Sequence, residues 1–182
     1  MDIEGVGNVA PKPVSIKLPK PLLEYFRGLA KERERENNYS RSGDAWKRGM
    51  KKNCVLESIV GEYGVAAFLN LHKIRNEWNP KRIAGGDGGV DILAGKIRLQ
   101  IKTGVPWIRR VTSRKILLPL NCDAYVFDAT KPPYDSVELN GWLLQESLIV
   151  FGKRRPQGHY NIECHPATFE PMHRLISFLK SQ

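Results

Sequence analysis

The sequence predicts an α/β (α+β) domain, a central mixed sheet flanked by helices and preceded by a helical extension. Three observations carry that expectation. Two stretches with helical apolar spacing lead the chain, several strand-like runs fill its middle, and one amphipathic stretch closes it. A length of 182 residues suits one ordinary domain. Residues 1–20 read as a flexible tail and 21–182 as a single domain, with its core at about 45–150 and a closing helix at about 170–181.

Residues 1–20 hold three prolines and two glycines with little periodicity, hence the tail. Pro21 opens a helix whose stripe is Leu22, Leu23, Tyr25, Phe26 and Leu29, while the alternating charges of KERERE face water. From Ala45 to Leu71 the pattern is helical again, with Leu56, Ile59, Val60, Tyr63, Ala66 and Ala67 on one face and a kink expected near Gly61. Gly61 and Gly64 cost helix propensity, so close packing or substrate approach must justify them. NEWNPKR reads as a loop. VDILAG and KIRLQIKT read as a hairpin around Ala94 and Gly95. DAYVFDA and SVELNGWLLQESLIVF supply further strands, and GKRRPQGHYNIECHP reads as irregular. The final helix carries Met172, Leu175, Ile176 and Leu179 on one side.

Composition narrows the partners. Twenty-nine basic residues against 19 acidic ones give a formal charge of +10, which favours a polyanion because each neutralised phosphate releases a counterion. Three widely spaced cysteines suggest no disulfide framework, no run approaches the length of a membrane helix, and the N-terminus lacks a signal-peptide design. A cytoplasmic protein without a membrane partner is expected. The basic residues cluster. Lys47, Arg48, Lys51 and Lys52 precede the second helix's apolar stretch, and Arg109, Arg110, Arg114 and Lys115 follow the hairpin. These eight are the candidate nucleic-acid contacts, with Trp107 placed to stack on a base or to pack; Lys153, Arg154 and Arg155 are weaker candidates.

The stretch GGDGGVDILAGKIRLQIKT carries the chemistry. Alternation along KIRLQIKT puts Ile97, Leu99, Ile101 and Thr103 on one face and Arg98, Gln100 and Lys102 on the other. Antiparallel pairing through the turn brings Asp91 within reach of Gln100. A carboxylate, an amide oxygen and an ammonium at one spot suit metal-assisted phosphodiester hydrolysis, with hard oxygen ligands for a divalent cation and a lysine for the attacking water. One carboxylate is a poor magnesium site, so a second acid is required. Glu57 and Glu62 lie about 140° apart around their helix. Glu62 flanks the apolar arc and is the candidate, Glu57 is expected in solvent, and Asp87 reads as a turn residue.

Asp91, then Gln100-Ile101-Lys102, preceded by a helical Glu62 in GEYGVAAFLN, resembles the active-site pattern of the PD-(D/E)XK nuclease superfamily, the restriction-endonuclease-like fold. The likeness covers about residues 45–150 and implies a helix, a central mixed sheet and flanking helices. It implies that Asp91 bridges metal, that Gln100 stands at the acidic position before Lys102, the catalytic lysine, that Ile101 offers its carbonyl, and that Glu62 is the helix-borne acid. Mg²⁺ or Mn²⁺ would be the cofactor and DNA the substrate, with RNA also allowed, and homodimers are compatible with the type. Two positions depart from the pattern. Val90 replaces the proline, and Gln100 replaces an acid, which removes one charge from the site. The alternative is a catalytically weak or inactive nucleic-acid-binding protein on the same fold; a third is a basic structural or RNA-binding protein with an accidental motif.

Overall fold

The structure, a computed structural model, describes residues 10–40, 54–80, 90–104, 107–108, 122–147, 153–157, 159–163 and 165–182. Its elements are β1 (Val14–Lys17), α1 (Lys20–Ser40), α2 (Cys54–Leu71), β2 (Asn76–Trp78), β3 (Ile92–Ala94), β4 (Ile97–Thr103), β5 (Trp107–Ile108), β6 (Ala124–Thr130), β7 (Ser136–Leu144), β8 (Lys153–Gln157), β9 (His159–Glu163) and α3 (Met172–Lys180). The fold is mixed α/β. A six-stranded sheet runs β1-β7-β6-β4-β3-β2, and a three-stranded sheet runs β5-β9-β8.

The expected hairpin is present. β3 and β4 pair antiparallel from Ile92↔Leu99 to Ala94↔Ile97, and Gly95 takes a φ of 62° in the turn, a conformation that costs glycine little. β4 then pairs parallel to β6, which makes the sheet mixed. One row across it reads Trp78, Ile92, Leu99, Ala124 and Leu144.

Helix α2 lies against this sheet and also touches α1. Its buried residues include Leu56, Ile59, Val60, Gly61, Glu62, Gly64, Val65, Phe68 and Leu69, which span most of the helix circumference rather than the single face expected. A helix that is apolar nearly all round belongs in the interior. It is also long and apolar enough to cross a membrane by composition, contrary to the sequence expectation, yet here it is largely buried in the core. Its glycines are explained by contact. A Cβ on Gly61 would collide with Thr103 Oγ1 and stand 2.6 and 2.7 Å from the Asp128 carboxylate oxygens, and one on Gly64 would collide with Val137.

Four expectations need correction. The N-terminal segment is not only a tail, because Val14–Lys17 adds an edge strand to β7 and buries Ile16 and Leu18. NEWNPKR contributes the short edge strand β2. The segment read as irregular is a hairpin, β8 with β9, in which Pro156 is accommodated opposite Tyr160. Glu57 does not stand free in solvent, for its carboxylate accepts the Tyr134 hydroxyl at 3.4 Å. The part of the second helix expected over 45–53 lies outside the described residues, and α2 runs through Gly61 as one helix.

Candidate active site at a notch in the sheet

Thr103 meets Gly61 of α2, so alternation along β4 places Leu99, Ile101 and Thr103 on the helix side and Gln100 and Lys102 on the far side. Leu99 and Ile101 are accordingly buried in the core, while Gln100 and Lys102 are half-buried. On the far side Tyr125 stands beside Gln100 and Phe127 beside Lys102.

Among the described residues, β3 accompanies β4 only from Ile97 to Leu99, whereas β6 accompanies it as far as Thr103. The β3 edge of β4 is therefore stepped back beyond Leu99, which leaves a notch. Asp91 stands in it. Its N–H donates to the Leu99 carbonyl at 2.9 Å, and its Oδ2 accepts the Ile101 N–H at 2.6 Å. The carboxylate thus takes the ladder bond that a longer β3 would have made. In a strand, the N–H and C=O of one residue point to the same neighbour. The Ile101 carbonyl therefore points into the notch as well.

Glu62 approaches from the helix side. It is 9% exposed, its Oε1 accepts Ser58 Oγ at 3.1 Å, and its Oε2 accepts Trp78 Nε1 at 3.0 Å. Trp78 pairs with Ile92, the residue after Asp91. Glu62 and the Gln100–Lys102 pair thus come from opposite sides of β4. Burial holds the Cys122 thiol above its usual range, with the Tyr125 hydroxyl and then the nearby Lys102 pulling the other way.

Sequence reasoning missed Asp128. Its carboxylate is 1% exposed, lies under Gly61 and accepts Thr103 Oγ1 at 3.2 Å, while its Oδ1 has no hydrogen-bond partner among the described residues. Burial pushes its pKa up to about 8, the Thr103 hydroxyl pulls the other way, and the Glu62 carboxylate adds to the rise. A signal was present. Asp128 follows Ala124 and Val126 at two-residue spacing, so a carboxylate occupies the apolar face of a core strand.

Among the described residues no three His, Cys, Asp or Glu side chains gather as a metal cage. The donors placed at the notch are the Asp91 carboxylate and the Ile101 carbonyl, hard oxygens of the kind that Mg²⁺ and Mn²⁺ prefer. Asp87 and the eight candidate DNA contacts (Lys47, Arg48, Lys51, Lys52, Arg109, Arg110, Arg114 and Lys115) lie outside the described residues. Compared with family models, curated proteins and solved structures, the chain matches none.

Proposed function

We propose that the protein is a metal-dependent nuclease that hydrolyses phosphodiester bonds in DNA, on a restriction-endonuclease-like fold. The observation that carries this reading is the notch. It sets the Asp91 carboxylate at the Ile101 amide, between an amide and a lysine of one strand, where β3 falls short. A helix packed on a mixed sheet whose hairpin feeds a parallel strand supports the same reading.

Asp91, Glu62, the Gln100 side chain and the Ile101 carbonyl would hold Mg²⁺ or Mn²⁺. When bound, that ion supplies polarisation of the phosphate and a lowered pKa for water. The chain's own groups do the rest. Lys102 orients the attacking water, helps to remove its proton and offsets charge developing on the phosphate oxygens. Asp91 fixes the Ile101 peptide and so the direction of its carbonyl. Trp78 and Ser58 hold Glu62 in one rotamer. Attack by water leaves a 5′-phosphate and a 3′-hydroxyl.

The test is cleavage of plasmid and linear DNA by purified protein with Mg²⁺ or Mn²⁺, with and without EDTA. Metal-dependent cleavage lost in Lys102→Ala is expected; full cleavage by that variant would refute the assignment. Gln100 favours one alternative, since it lowers the negative charge available to a cation. That alternative is a DNA-binding protein on the same fold without activity, and it predicts salt-sensitive binding with no cleavage under any divalent ion.

A further inference from the structure

Glu62 is a carboxylate 9% exposed, and a charge at that depth keeps one orientation only while its donors keep theirs. One donor is the Trp78 indole N–H, at 3.0 Å. Yet Trp78 ends β2, a three-residue strand that pairs only with β3 among the described residues. An outer strand is held by backbone bonds on one side alone, so the indole needs holding from elsewhere. Two rings hold it. Phe26 of α1 meets it edge-on, at 5.9 Å between centroids and an interplanar angle of 86°, and Tyr63, the residue after Glu62, lies tilted at 5.8 Å. Phe26 and Tyr63 meet each other at 5.4 Å, which closes a triangle of rings. Tilted and edge-on pairs at such separations are favourable.

A second hold comes from the same helix. Arg33 Nη2 donates to the carbonyl of Pro80, two residues beyond Trp78. Phe26 and Arg33 are seven positions apart, about two turns, so one face of α1 grips both the indole and the backbone that follows it. Phe26 is 1% exposed and belongs to the core that α1 and α2 share. Helix α1 lies outside the stretch that the nuclease resemblance covers, yet it reaches the helix-borne acid in two contacts, ring to indole and indole to carboxylate. We infer that α1 is part of the candidate active site, with Phe26 and Arg33 as positioning residues that aim the Glu62 carboxylate through Trp78. This rests on the nuclease reading and deepens it, because it adds the helical extension to the machinery that presents Glu62 to the metal.

The first measurement is deuterium exchange of the Trp78 indole N–H, followed by NMR in metal-free protein and identified by its absence from Trp78→Phe. Phe26→Leu keeps an apolar side chain but removes the ring, and losing that ring pair should quicken the exchange about 10-fold. The Trp142 indole, stacked on Phe178 elsewhere in the core, should keep its rate, whereas general loosening would quicken both. Arg33→Gln should quicken the Trp78 signal in the same direction, and it carries the test should Phe26→Leu not fold. The second measurement is calorimetric titration with Mn²⁺. Trp78→Phe keeps a ring but no N–H and should weaken Mn²⁺ binding about 10-fold or more, with Phe26→Leu acting in the same direction. Unchanged exchange at Trp78 in the α1 variants, exchange that quickens equally at Trp142, or Mn²⁺ affinity that Trp78→Phe leaves at the wild-type value would each overturn the inference while leaving the nuclease reading intact. Exchange quickened at Trp78 alone, in a protein whose wild type neither binds Mn²⁺ nor cuts DNA, would keep the hold of α1 on Glu62 and sink the nuclease reading.

Discussion

The two sides of β4 follow different rules. Toward α2 the strand meets a dry, close-packed layer in which two glycines let the helix approach and a buried carboxyl is held near neutrality. Away from α2 it presents Gln100 and Lys102, two half-buried polar groups. The first side leaves no room for an added atom at Gly61.

The largest effect is expected on the dry side. Gly61→Ala pushes a methyl group into Thr103 and Asp128, and overpacking of this kind costs about 3 kcal/mol or more. A urea titration measures it, and a change below about 1 kcal/mol would show that the helix has slack. Asp91→Ala comes next. It strips the Ile101 amide of its acceptor, and leaving a buried donor unsatisfied costs about 1–3 kcal/mol. Asp91→Asn keeps an oxygen there and should restore most of that loss.

Asp128 sharpens the contrast through pH. Its folded pKa is raised to about 8, so the native state holds a proton that the unfolded chain releases near pH 4. Between those limits the unfolded state binds fewer protons, and stability falls as pH rises. The contribution is complete below about pH 4 and is lost as pH passes through about 8. Asp128→Asn should flatten that slope in urea titrations from pH 5 to 9. A wild-type slope unchanged by the substitution would place the titration elsewhere. The smallest effect belongs to the surface pair Arg98–Asp123, at 2.7 Å, in which Arg98 holds the Asp123 carboxyl below its usual range. Arg98→Ala should leave the melting temperature nearly unchanged, the more so in high salt, because exposed pairs are screened.

The legible parts of this fold are those where one local rule acts alone. The β3–β4 hairpin was readable because a Gly95 turn separates alternating residues, and the closing helix because Met172, Leu175 and Ile176 share a stripe. The missed parts are those where tertiary contact decides. Val14–Lys17 and Asn76–Trp78 are short edge strands whose own patterns are too brief to read, and β7 and β3 hold them in place. Pro156 hid β8, yet an outer strand accepts proline because one of its edges needs no donor. Glu57 looked solvated from the helix wheel alone, which cannot know that Tyr134 comes back over that end of α2. At the site, alternation separated Gln100 and Lys102 from Ile101 correctly, but that the Asp91 carboxylate would take the Ile101 amide was not legible. That required knowing where β3 stops.

Cleavage by Asp91→Asn tests the central claim most directly. Asparagine can still accept the Ile101 amide, so the variant should melt close to wild type, yet it removes the charge from the notch. The account predicts a folded protein whose Mg²⁺- or Mn²⁺-dependent cleavage of plasmid DNA falls at least 100-fold. A folded Asp91→Asn protein that cuts DNA at the wild-type rate would contradict it.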